Sequence, residues 1–279
     1  MTPIKTLAMR FPQLYVAPAT DAQEAHRLAS GRGIVPDDAR LDHFVGSAED
    51  ELREVQTPAG PVEVLFLRER SDFETFLQII GHKSQPVPIA PSIGAITFRG
   101  MPDWGKVGAA YRAFREHEGP DADWGSEFRS LASKGAFRGE LVVISEGPYS
   151  NVPAAKTPYD DEEWLRISRE IRLNHECAHV VCRRTMPEAI LPVWDEITAD
   201  VVGILCATDR YDSSLASTFL DERLVEYLTS DQRERMDGIL AEVRSSLSSI
   251  EKMTHSRCIG RSQAFDFLLD LKRSPLVRY

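Results

Sequence analysis

The chain has 279 residues, of which 42% are hydrophobic and 27% charged, and a formal net charge of -10. That length supports one large domain or two lobes around a buried core, with the composition of a globular protein. An acidic chain repels phosphate backbones, which argues against nucleic acid as a partner; no apolar run approaches the ~20 residues of a membrane span.

The N-terminus carries basic residues but no continuous apolar stretch, so it does not read as a signal peptide. Cys177, Cys182, Cys206 and Cys258 form no C-x-x-C pair, and three sit in apolar helical surroundings. This pattern predicts buried thiols in a reducing compartment, and hence a cytoplasmic protein. The first ~60 residues have little period, though Ala48 to Val55 reads as a short helix. Val62 to Leu67 alternates and is rich in β-formers, a strand. Ser71 with Glu74 three residues on forms a capping box for the helix that follows. Gly94 to Gly100 is a second strand, Asp103 to Gly119 a helix, and Gly139 to Gly147 a third strand. Within it, Glu140 to Ile144 is either an edge along which a peptide could pair or a central strand, since "LVVI" does not alternate.

The stretch "SEGPYSNVPAAKTP" reads as a linker, dividing an N-terminal α+β lobe (1–155) from a mainly helical lobe (156–279). Thr157-Pro158-Tyr159-Asp160 signals a helix start with Thr157 as cap. Helices are predicted over Pro158 to Arg184, Pro192 to Ala207, Ser214 to Leu228, Asp231 to Thr254 and Gln263 to Lys272.

The first of these helices changes character along its length. It is amphipathic through Ile171, whereas "LNHECAHVVC" holds Glu176 as its one formal charge. A helix apolar all round is buried. His175 and His179, four apart, share a face and can reach one ion, and Glu176 projects beside that ion. Two nitrogens on a zinc and a neighbouring carboxylate to take a proton from water are what a hydrolytic site needs. The next helix is also charge-poor and again holds acids, Glu196 and Asp200, four apart on one face.

HExxH followed by a helix with ExxxD resembles the gluzincin metallopeptidases, the group of thermolysin and the M1-type aminopeptidases; the resemblance covers about Arg172 to Leu205. It implies a zincin-like fold and a peptide or protein substrate. It also implies that His175, His179 and Glu196 bind Zn2+, that Glu176 is the general base and that Asp200 orients His175. Asp195 stands where the family has Asn or Gly, and either Asp195 or Glu188 in the third ligand position would break the resemblance. The physical chemistry agrees: three carboxylates and two imidazoles on two otherwise apolar helices are costly to bury without a cation. A second oxyanion donor is expected from His255, in a loop between helices, or from Tyr211; Arg210, Arg257 and Arg261 are weaker candidates. The runner-up reading is a non-catalytic zincin-like protein that binds or regulates a partner, with Cys182 or Asp195 closing the metal site.

Overall fold

The structure, a computed structural model, describes residues 1–37, 39–186, 192–227 and 236–274. It mixes helices with one sheet of four strands, β1 (Glu51–Thr57), β2 (Gly60–Leu67), β3 (Ala95–Pro102) and β4 (Arg138–Ser145), in the order β1-β2-β4-β3. β2 and β4 are parallel, with Val64 opposite Val142 and Leu67 opposite Ser145. The N-terminal segment, without a clear period, forms α1 (Pro3–Ala8) and α2 (Gln23–Arg32). Helix α3 (Arg70–Ile80) contacts β4 and buries Phe73, Phe76 and Ile79. Helices α4 (Trp104–Glu118) and α5 (Trp124–Ser133) separate β3 from β4.

Two local expectations are corrected and one open alternative is decided. Ala48 to Val55 is not helical: from Glu51 the chain is β1, because pairing with β2 outweighs the helix propensity of its acids. Helix α3 starts at Arg70 with Glu69 at the cap position and no side-chain cap, so Ser71 lies inside the helix and makes no capping box. Glu140 to Ile144 is not an edge. β4 is an inner strand, and Leu141 to Ile144 are all buried, which is why the run does not alternate.

The chain divides into two compact units. One comprises Met1–Glu54, Glu63–Ile89 and Thr97–Ser145; the other comprises Val55–Val62, Ala90–Ile96 and Glu146–Tyr279. Two arginines explain why short upstream segments group with the second unit. Arg184 donates to the carbonyls of Ala59 and Pro61 at 3.2 and 2.9 Å. The guanidinium of Arg172 lies so close to Gly94 that a Cβ there would stand 2.3 Å from Nε.

The second unit is built on α6 (Asp161–Thr185), α7 (Pro192–Thr208), α8 (Ser213–Tyr227), α9 (Met236–Ser256) and α10 (Ala264–Arg273). The expected helix end at Leu228 and helix start at Asp231 lie outside the described residues, as does Glu188. α6 starts three residues later than Pro158. Asp160, not Thr157, caps it, accepting from the Glu163 amide at 2.8 Å, and Asp161, Glu162 and Glu163 follow in the first turn, where the helix dipole favours acids. Its core includes Trp164, Ile171, Val201, Phe219, Phe267 and Leu271. α6 and α7 approach closely at Gly203, where a Cβ would meet the Ile171 carbonyl at 2.9 Å and its Cγ2 at 3.0 Å. That approach sets the distance between the two helices that carry the site.

Candidate metal centre

His175 and His179 lie on consecutive turns of α6, and Glu196 lies in the first turns of α7. Their Nε2 atoms are 3.0 Å apart. Glu196 Oε2 is 3.3 Å from His175 Nε2, and its Oε1 is 3.4 Å from His179 Nε2. Among the described residues, these three form the group whose ligand atoms could hold a metal ion. A tetrahedral zinc with bonds of about 2.0–2.1 Å puts neighbouring ligand atoms about 3.3–3.4 Å apart. The two nitrogens, at 3.0 Å, lie somewhat closer than that, and Glu196 sets a different oxygen 3.3 and 3.4 Å from each.

The outer ring nitrogens are committed elsewhere. His175 Nδ1 lies 2.8 Å from Asp200 Oδ1, and His179 Nδ1 lies 2.9 Å from Asp195 Oδ2. Each Nδ1–H donates to a carboxylate, so both Nε2 lone pairs aim at one point beside the Glu196 carboxylate. Converging lone pairs need a cation between them. Protons fill that role when no metal does. Burial works against charge on His175, but hydrogen bonds with Asp200 and Glu196 overcome it and raise its pKa to about 10. His179 is raised likewise: burial opposes, and the bonds with Asp195 and Glu196 prevail. Burial also disfavours ionised Glu196, yet its bonds with the two histidines hold its carboxyl well below the usual range.

Glu176 follows His175 on α6 and is buried. Asp200 stands where the sequence places it, on the outer nitrogen of His175. Asp195 takes a role the sequence reading did not give it. One oxygen accepts from His179, and the other accepts from Lys272 Nζ at 2.5 Å. Burial pushes the pKa of the Cys182 thiol up. Among the described residues, neither of the two considered for closing the site belongs to the group of converging ligand atoms.

Tyr149 is a further partner that the sequence reading placed in a linker. Its hydroxyl donates to Asp200 Oδ1 at 2.5 Å and lies 2.9 Å from His175 Nδ1. Its amide donates to Ser168 Oγ at 2.9 Å, and Arg172 donates to the carbonyls of Gly147 and Pro148 at 2.5 and 2.6 Å. These bonds from α6 hold a tight segment in which Ser150 (φ 52) and Asn151 (φ 58) are both left-handed, a conformation that costs about 1–2 kcal/mol for such residues. No periodicity signals this tyrosine, because its place depends on a loop folded onto α6.

The two expected oxyanion donors do not join the cluster. His255 is in the last turn of α9 rather than a loop, and it is exposed. Tyr211 is fully buried in the helical core, and among the described residues its hydroxyl has no hydrogen-bond partner. Burial, then the charges of Asp200, Glu251 and Asp212, push its pKa well above 10. A side chain enclosed this way is not presented to a substrate. Arg210, Arg257 and Arg261 are exposed.

Fold and site together define a mixed helix-and-sheet protein with a buried two-histidine, one-glutamate group suited to a metal ion. The chain belongs to DUF7005, a family of unknown function whose model matches residues 4–253. No curated protein and no solved structure matches the chain.

Proposed function

We propose that this protein is a zinc-dependent hydrolase, of the gluzincin type and acting on peptides. The observation that carries the reading is the convergence of His175, His179 and Glu196, with both histidine Nδ1 atoms held by carboxylates. When bound there, zinc would supply Lewis acidity, polarising a carbonyl and making water acidic. In this reading Glu176 takes the proton from the attacking water and delivers it to the departing amine. Asp200 and Asp195 hold the two imidazoles in the Nδ1–H tautomer and in orientation, with Tyr149 fixing Asp200. Asp195 thus does for His179 what Asp200 does for His175.

A peptide substrate is what the resemblance of the two helix motifs to the gluzincins implies. Residues 90–96 belong to the same compact unit as α6, with Gly94 against Arg172, one turn before His175. The four unpaired cysteines, three of them buried, fit a reducing, cytoplasmic setting. Among the described residues, no helix is long and apolar enough to cross a membrane.

The test is Glu176→Gln. The zinc-loaded parent, incubated with a mixed peptide library and read by mass spectrometry, should cleave it. The variant should bind zinc as the parent does and lose cleavage by about 10²–10⁴-fold, the range for losing a general base. A variant as active as its parent would refute the role of Glu176. A zinc-loaded parent without cleavage would favour the non-catalytic zincin-like reading.

A further inference from the structure

The last helix of the described chain carries a residue that neither the motif nor the hydrolytic reading uses. In α10, the buried positions are Ala264, Phe267, Leu268, Leu271 and Lys272. Their spacing is the stripe by which a helix packs on a core, and Lys272 occupies a position where an apolar side chain would be expected. Its side chain is 5% exposed. An ammonium buried to that extent is costly unless a counter-charge lies against it, whereas an apolar residue would carry no such cost. The counter-charge is Asp195, at 2.5 Å, and the other oxygen of Asp195 accepts from His179 Nδ1 at 2.9 Å. A continuous line thus runs from Lys272 through Asp195 to His179, whose inner nitrogen is 3.0 Å from that of His175.

The arrangement differs from that on His175. Asp200 is pinned by the Tyr149 hydroxyl, while Asp195, whose side chain is 36% exposed, is pinned by Lys272. Without the ammonium, Asp195 could turn toward solvent, and the His179 ring would lose the acceptor that fixes its tautomer.

We propose that Lys272 is a positioning residue for the metal, holding Asp195 so that His179 presents its Nε2 lone pair to the ion. The last helix is then part of the metal site rather than a packing element alone. This inference rests on the metal reading above, and the experiment separates the two.

Zn2+ affinity of the full chain is measured by chelator competition for the parent, Lys272→Met, Asp195→Ala and the double variant, with exposed Lys252→Met as control. Lys272→Met should weaken zinc binding about 10–100-fold, the usual loss when a ligand's outer partner is disturbed. In the Asp195→Ala background, Lys272→Met should add little, because its effect passes through Asp195. Lys252→Met should match the parent. Zinc binding by Lys272→Met equal to the parent's, or losses that simply add in the double variant, would overturn the inference while leaving the metal reading intact. A parent that takes up no zinc would overturn both. Should Lys272→Met fail to fold, Asp195→Asn provides the second test: it turns an amide toward the ammonium and should weaken zinc binding to a similar degree. Parent-like affinity in that variant would equally overturn the proposal.

Discussion

Removing Glu196 is the sharpest perturbation of the three-residue group. Glu196 offers one oxygen to each histidine's side of the site, at 3.3 and 3.4 Å, and it is the one anionic member. Structural zinc sites bind with about 10–16 kcal/mol shared over four ligands, so one ligand carries about 2.5–4 kcal/mol. At about 1.4 kcal/mol per tenfold, Glu196→Ala should weaken zinc binding by about 10²–10³-fold. Asp200→Asn leaves all three ligands and disturbs only the outer nitrogen of His175, so its loss should stay near 10–100-fold. The assay is competition against chelators of graded affinity, with circular dichroism in excess chelator to show that both variants fold. An Asp200→Asn loss equal to or larger than that of Glu196→Ala would refute the assignment of first and outer partners. A Glu196→Ala protein that binds zinc within tenfold of the parent would remove Glu196 from the site altogether.

The contact between α6 and α7 predicts that Gly203→Ala will force a methyl against Ile171, where a Cβ would meet a backbone oxygen at 2.9 Å. The expected cost is about 1–3 kcal/mol of stability, read by denaturant unfolding, with zinc affinity falling as the helices part; an unchanged midpoint would contradict the packing described. In the metal-free chain, the raised pKa of His175 means that its ion pairs stabilise fully below about 6.5 and fade as pH climbs toward about 10. Glu196 and Asp195 are lowered, so their contribution is present above about 4.5 and 3.8 and fades as pH falls below those values. The difference in melting midpoint between parent and His175→Ala, both in chelator, should therefore be largest between about pH 4.5 and 6.5 and shrink toward pH 10. A difference that grows above pH 6.5 would contradict the charge pattern of the cluster.

Much of the site was legible because burying charge is expensive. Two charge-poor helices that nevertheless hold Glu176, Glu196 and Asp200 stand out in sequence, and the four-residue spacings place each set on one face. The outer partners were legible only in part. Asp200 follows from helical spacing, but Asp195 reads as an ordinary first-turn acid until its contacts with His179 and Lys272 are seen. Lys272 had a signal, a charged residue in an apolar stripe, whose meaning depends on which helix faces it. Tyr149 had none, since a loop held by Arg172 and Ser168 brings it to the site. In the fold, β1 was obscured because its acids favour a helix locally, while pairing with β2 decides its state. β4 was ambiguous because a run without alternation fits several environments, and only the strand order makes it an inner strand.

The central claim is a single zinc held by His175, His179 and Glu196, and X-ray absorption spectroscopy on the zinc-loaded full chain tests it most directly. The expected result is about one zinc per chain, with two imidazole nitrogens at about 2.0–2.1 Å and carboxylate oxygen at about 2.0–2.2 Å, and loss of that signal in His175→Ala. A parent chain that takes up no stoichiometric zinc, or a His175→Ala chain with an unchanged coordination shell, would contradict it.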